Sequence, residues 1–255
     1  MNYEQAIKII KSQRGYFTNR SQLEIEEKSR ANYVTNIDKQ IEDNIKSELA
    51  KIYPTIAFVG EEETSNKAAK RFWLLDPIDG TQNYIKRQYP SMISLALVEN
   101  EIVTFAVIYD PYFDDVYSAY LGQGTYFNGE KVSVSKTQLD RAIVMVGTSP
   151  YNHELSEITF AIAHDIFAKT SDIRRSGSAC YDLVQVATGR AEAYVEMRVQ
   201  SWDFAAGYLL VKEAGGQVSD LHGNSLAALK LGATSIVASN GVVHDDIIKL
   251  VGDIL

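Results

Sequence analysis

An α+β chain is what the sequence predicts, on three observations. Helical apolar periods lie near its start, short apolar runs parted by Gly and Asn-Gly turn signals crowd its middle, and strands alternate with helices after Ser149-Pro150. The 255 residues are 45 % hydrophobic, enough for one large domain or two tightly joined ones with a substantial core.

The first helix is expected over 3–16. The charged stretch 21–33, SQLEIEEKSRANY, has no clean period and is expected to be a mobile loop. A second helix is expected over 38–53, because Ile37, Ile41, Ile45 and Leu49 recur at helical spacing and Pro54 stops it. An apolar run over 55–59 ends at Gly60 and the acidic triplet Glu61-Glu62-Glu63, and 71–75, RFWLL, is a candidate buried strand. Between Ile93 and Val107 two apolar runs flank Glu99-Asn100-Glu101 as a hairpin. Gly122, Gly124 and Asn128-Gly129 then bring in short strands up to Val134. The glycines of GQGTYFNG, 122–129, are in the wrong order for a dinucleotide loop, so the segment reads as hairpin turns.

A strand over 142–147 precedes the composition shift that divides an N-terminal α+β part, 1–148, from a C-terminal α/β part, 149–255. In the second part helices are expected over 153–167, 178–189, 203–214 and 242–250, the third stopped by Gly215-Gly216. Strands are expected over 193–197 and 235–238.

Thirty-three acids against twenty-five bases, with no basic tract, disfavour a nucleic-acid partner. The lone Cys180 excludes an internal disulfide framework, and MNYEQAIKIIKSQRGYF lacks the cationic-then-apolar order of a signal peptide. No apolar run reaches the length of a membrane span, so a soluble, reducing, cytoplasmic setting is expected. His153, His164, His222 and His244 have no zinc spacing and read as structural or exposed.

The chemistry concentrates in WLLDPIDGTQNY, 73–84, where Asp76 and Asp79 stand three apart around a proline. Two carboxylates facing one pocket repel, and a divalent ion is their natural partner. Hard oxygen ligands select Mg²⁺, Mn²⁺ or Ca²⁺ over zinc, and the Pro-Ile step restrains the backbone so that a main-chain carbonyl can join them. Gly80-Thr81 offers backbone N–H groups able to hold a phosphate. The same residues also make a surface turn. Glu61-Glu62-Glu63 reads as a solvated acidic face or as a carboxylate delivered from a strand end, and Asp203 in SWDFAAG as a helix N-cap or a third acid of the same site.

Together GEE (60–62), WLLDPIDGTQNY (73–84) and WDFAAG (202–207) resemble the inositol monophosphatase family of Mg²⁺-dependent, lithium-sensitive phosphatases. VTNID, 34–38, and the segments GSAC, 177–180, and VATGRAEAYVE, 186–196, extend the likeness over nearly the whole chain. The resemblance implies a layered α/β/α/β/α sandwich. It implies that Glu61, Asp76 and the Ile78 carbonyl bind one Mg²⁺, that Asp76, Asp79 and Asp203 bind a second, and that a third, weaker ion lies near Glu61. Thr81 and Asp38 resemble the pair that activates the attacking water, although Asp38 alone would read as a helix N-terminal acid. The N–H groups of Gly80 and Thr81 would grip the phosphate. On the substrate side Glu196 would bond polyol hydroxyls, with Gly177, Ser178 and Ala179 beside it and Asp79 and Asp203 touching substrate.

The expected activity is hydrolysis of a small polyol monophosphate, inositol monophosphate first, by a homodimer, as relatives commonly are. Sulfur-pathway 3′-nucleotidases and histidinol-phosphate phosphatases share the metal motifs, but Asn83-Tyr84 resembles the inositol branch more. Arg198, Arg174-Arg175 and Lys86-Arg87 are solvated surface charges or anion contacts. In the second case fructose 1,6-bisphosphate or the 2′-phosphate of NADP becomes a substrate. Lys28 resembles a lysine on a mobile loop that closes near the third metal. A reading of another class, a metal-binding scaffold acting through protein or RNA partners, is disfavoured by low basicity and by the full set of catalytic residues.

Overall fold

Alternation along the central strands decides the layering. The computed structural model describes residues 3–19, 23–62 and 69–255, so Glu63 and residues 21–22 lie outside the described residues. The chain runs through α1 (Glu4–Ser12), α2 (Gly15–Thr18), β1 (Ile25–Ser29), β2 (Asn32–Thr35), α3 (Asn36–Ile52), β3 (Ala57–Gly60), β4 (Arg71–Asp79) and α4 (Thr81–Lys86). It continues through β5 (Met92–Glu99), β6 (Ile102–Asp110), β7 (Asp115–Tyr120), β8 (Gly124–Phe127) and β9 (Glu130–Val132). The last portion holds β10 (Ile143–Val146), α5 (Ser156–Lys169), β11 (Asp172–Arg174), α6 (Ala179–Ala187), β12 (Ala193–Gln200), α7 (Ser201–Glu213), β13 (Gln217–Ser219), β14 (Ala233–Ser239) and α8 (His244–Gly252).

Strands β3 to β9 form a seven-stranded sheet in sequence order, antiparallel except for the parallel β3–β4 pair. Successive side chains of a strand point to opposite faces. On one face Trp73, Leu75, Leu95, Leu97, Phe105 and Val107 meet Ile10 of α1 and Ile41, Ile45 and Leu49 of α3. On the other, Leu74, Ala96, Val98, Ala106 and Ile108 meet α6 and α7. Both faces are buried in the middle of β4, β5 and β6, which is why 72–75, 95–98 and 105–108 read as unbroken apolar runs.

The far sides of α6 and α7 lie on a five-stranded sheet of order β11-β10-β12-β14-β13, through Tyr194, Ile236 and Ala238. Its outer face, Val144, Val195 and Val237, is covered by Ile162 and Ile166 of α5 and Ile247 and Val251 of α8. The result is the expected α/β/α/β/α order. Helix α7 is buried on both sides, and a Cβ at Gly207 would come within 2.4 Å of the Leu183 side chain, so glycine there sets the α6–α7 approach. No helix among the described residues is long and apolar enough to cross a membrane.

Several expectations needed correction. The helix expected over 3–16 is two helices, broken at Gln13-Arg14. The expected loop over 21–33 holds β1 and the start of β2, paired as a hairpin, and no period marked it because every residue of β1 is exposed. Helix α3 starts at Asn36, two residues early, because Thr35 caps it. Strand β4 does not stop at Leu75: it runs to Asp79, with a register shift between Asp76 and Asp79 against β5. A bulge of this kind bends a strand and re-aims its side chains.

Candidate active site

The first contributor is the irregular end of β4. The Ile78 N–H donates to Asp76 Oδ1 at 2.9 Å, which turns the Pro77-Ile78 step and leaves Asp76 and Asp79 on the same side. Gly80 follows in the left-handed region at φ +85°, wedged so that a Cβ would stand 3.0 Å from the Pro90 carbonyl and 3.3 Å from that of Gly177. A left-handed residue with so little room for a Cβ favours glycine, and it lets α4 begin at Thr81.

Asp79 is held by the start of α6. Its Oδ2 accepts the Ser178 hydroxyl and the Cys180 N–H (2.8 Å), and its Oδ1 accepts the Ala179 N–H at 3.3 Å. Ser178 also caps α6 by accepting the Tyr181 N–H at 3.2 Å. Asp203 enters from the first turn of α7, its Oδ2 accepting the Gln200 N–H at 3.1 Å. Asp76, Asp79 and Asp203 each offer an oxygen within 4.8 Å of the others. Glu61 leaves the end of β3 beside them, tied by its own N–H to the Leu75 carbonyl at 3.1 Å.

Charge makes this cluster unstable by itself. Burial and then the charges of Glu61, Asp79 and Asp203 push the Asp76 carboxyl well above the usual range. Burial and then Asp79 do the same to Asp203, and burial and then Asp203 to Glu61. Asp79 rises to about 6 through burial, offset in part by the Ser178 hydroxyl and the amides of α6. Converging hard oxygens that repel one another fit a divalent cation of the Mg²⁺ type.

Asp38 stands behind this cluster. Its Oδ2 accepts the Thr35 N–H (2.8 Å) and hydroxyl (2.5 Å), while its Oδ1 lies 3.5 Å from the Thr81 hydroxyl. Thr81 Oγ1 is also 3.0 Å from the Ile78 carbonyl. Burial raises Asp38 to about 6 against the opposing Thr35 hydrogen bonds.

One cavity of about 160 Å³ joins these groups: Glu61, Asp76, Ile78, Asp79, Gly80, Thr81 and Asp203 line one end, and Gly177, Ser178, Ala179 and Glu196 line the other. Asp38 is the one predicted site residue outside its lining. Glu196 Oε1 accepts the Ser149 N–H (2.8 Å) and hydroxyl (3.2 Å), and Oε2 accepts the Tyr194 hydroxyl. Of the basic residues, Arg175 and Arg198 line the cavity, whereas Lys86, Arg87 and Arg174 do not. Arg174 pairs with Asp172, and Lys28 reaches Glu62 at 2.7 Å.

Sequence reading did not find Thr35, Ser149, Tyr151 or Asp182, all now at the site or bonded to it. Thr35-x-x-Asp38 is a capping-box spacing and could have been found. Ser149 lies on the composition shift and Asp182 in the first turn of α6, and neither position signals a site.

The family model for the inositol monophosphatase family matches residues 1–255. The chain belongs to that family. Within it, the chain is 39 % identical over 202 residues to the Nus factor SuhB of Xylella fastidiosa, covering 79 % of this chain and 74 % of that one. It is 33 % identical over 228 residues to the fructose-1,6-bisphosphatase/inositol-1-monophosphatase of Aquifex aeolicus, covering 89 % and 84 %. Among solved structures, the IMPase of Thermotoga maritima superposes with a TM-score of 0.90 at 30 % identity, covering 98 % of this chain and 96 % of that one.

Proposed function

We propose that this family member is a Mg²⁺-dependent, Li⁺-inhibited phosphomonoesterase acting on a small polyol monophosphate, with inositol monophosphate the first candidate. The observation that carries the reading is the convergence of Asp76, Asp79 and Asp203 within 4.8 Å, in a cavity whose other end presents Glu196. Two ions would be held by Glu61, Asp76 and the Ile78 carbonyl, and by Asp76, Asp79 and Asp203, with a third and weaker one near Glu61. Bound there, they would lower the pKa of a water and neutralise charge on the phosphoryl and leaving oxygens.

The chain's own residues do the rest. The N–H groups of Gly80 and Thr81 bind a phosphoryl oxygen at the start of α4. Thr81 Oγ1 accepts the proton of the attacking water while passing its own to Asp38 Oδ1, 3.5 Å away. The water oxygen bonds to phosphorus, the ester P–O bond breaks in line, and the alkoxide takes a proton from solvent. Glu196, fixed by Ser149 and Tyr194, accepts hydroxyls of the polyol. In this reading 1–148 supplies most of the ion ligands, 149–255 completes the site, and the enzyme works as a cytoplasmic homodimer.

Arg175 and Arg198 favour a second reading, the same chemistry on the 2′-phosphate of NADP or on fructose 1,6-bisphosphate, since both arginines line the cavity. The name of the Xylella relative favours a third, a metal-binding scaffold acting through partners. Retention of the biological effect by Asp79→Asn, with phosphate release lost, would select it. The first experiment measures phosphate release from inositol 1-phosphate, fructose 1,6-bisphosphate, NADP, 3′-phosphoadenosine 5′-phosphate and histidinol phosphate, each with and without Mg²⁺ and with added Li⁺. Mg²⁺-dependent, Li⁺-inhibited turnover is expected, and its absence for all five in Mg²⁺-binding protein refutes the enzymatic reading.

A further inference from the structure

Asp38 and Glu42 leave α3 one helical turn apart and therefore on the same face. Asp38 reaches Thr81, and Glu42 reaches the end of β3. Glu42 is 2 % exposed, and its Oε2 accepts the Glu62 N–H at 3.1 Å. The same carboxylate lies against Gly60: a Cβ there would stand 2.2 Å from Glu42 Cδ and Oε2 and 2.4 Å from Oε1. The residues immediately before and after Glu61 thus both press on one buried carboxylate. Ile41 and Ile45, beside Glu42 on α3, belong to the apolar core, and an acid buried next to them is costly unless its oxygens are bonded.

We propose that Glu42 is a positioning residue for Glu61, setting the direction in which that side chain leaves β3 by bonding the Glu62 amide and filling the space above Gly60. The inference rests on the reading of Glu61 as an ion ligand. One helix would then register two parts of the site, the Asp38 base and the turn that carries Glu61. Loss of a group that orients a metal ligand lowers metal affinity by about 10–100-fold.

The test is Mg²⁺ binding by titration calorimetry to wild type, Glu42→Gln, Glu42→Leu, Gly60→Ala and Glu61→Gln, with thermal unfolding and KM at saturating Mg²⁺ alongside. Glu42→Gln retains an oxygen acceptor and is expected to bind Mg²⁺ within about twofold of wild type. Glu42→Leu has none and should bind at least ~10-fold more weakly. Gly60→Ala, which leaves Glu42 in place but forces its carboxylate aside, should lose a similar factor. At saturating Mg²⁺, KM should stay within about twofold of wild type in the Glu42 and Gly60 variants. A role in folding alone would lower the Tm of Glu42→Leu and leave its Mg²⁺ affinity intact, and that result overturns the proposal. Equal losses in Glu42→Gln and Glu42→Leu also overturn it, because charge would then act in place of the acceptor. Should Glu42→Leu not fold, Gly60→Ala decides: Mg²⁺ binding equal to wild type overturns the proposal. If Glu61→Gln binds Mg²⁺ as wild type does, the ligand reading itself fails. If Glu61→Gln is weakened while Glu42→Leu and Gly60→Ala are not, only the present inference fails.

Discussion

Replacing Asp76 by asparagine should stabilise the metal-free protein and remove its response to Mg²⁺. Asp76 is 2 % exposed and has oxygens of Asp79 and Asp203 within 4.8 Å. At that separation a pair of full charges repels by about 3.5 kcal/mol at an effective dielectric constant near 20. The fold avoids part of this by keeping protons, which costs ~1.4 kcal/mol for each pH unit above the ordinary carboxyl value. Asparagine keeps the Oδ1 acceptor that the Ile78 N–H uses, so little is lost in exchange. With relaxation of the neighbours, a net gain of about 2–3 kcal/mol is expected near neutral pH, or roughly 5–10 °C in Tm for a chain of this length. The sign follows from linkage: a carboxyl raised in the fold costs stability above its unfolded value, so the gain should vanish near pH ~4. In Mg²⁺ at about a hundred times its Kd the wild type should gain ~2.7 kcal/mol, and the variant should lose most of that. Scanning calorimetry in chelator and in Mg²⁺ measures both. A metal-free Tm below wild type at neutral pH refutes the repulsion argument, and an undiminished Mg²⁺ response removes Asp76 from the ligand set.

Asp38 and Asp79, both raised to about 6 from 3.8, contribute stability that is complete below the unfolded value and lost as pH rises through about 6. The metal-free Tm should therefore fall between pH ~4.5 and ~7 while the Mg²⁺-induced increment grows, and parallel Tm curves with and without Mg²⁺ would contradict this. Gly80→Ala places a side chain at φ +85° and 3.0 Å from the Pro90 carbonyl. It should cost about 1–2 kcal/mol from the backbone alone and lower kcat more than tenfold, as read by Tm and steady-state kinetics; normal kcat would take Gly80 out of the phosphate loop. Arg175→Ala and Arg198→Ala should lower kcat/KM about 10–100-fold for a bisphosphate or NADP, the worth of one charged hydrogen bond, and leave inositol monophosphate within about twofold. Equal effects on both substrate types would deny the arginines a role in selection.

Much of this protein was legible before its structure, and the reason differs from part to part. The central strands announced themselves because both faces of the middle of the seven-stranded sheet are buried, so Phe72 to Leu75 and Leu95 to Val98 have to be apolar without interruption. Asp76, Asp79, Gly80 and Thr81 were readable together because a bulged strand end and a left-handed glycine are local devices, written in consecutive residues. Hairpin β1–β2 was not readable, since β1 is exposed along its whole length and an exposed strand leaves no period. Local sequence could likewise say that Glu61 and Asp203 were acids at element ends, but only a resemblance to other chains suggested that they meet, and only it singled out Glu196. Their convergence is a long-range fact, set by layers that bring the starts of α6 and α7 onto the end of β4. The same holds for Glu42 beneath Gly60, Ser149 on Glu196, and the separation of Arg175 and Arg198 from Arg174. A single chain records its residues one after another, whereas the charge repulsion that defines this site depends on distances across the sandwich, and packing alone decides those.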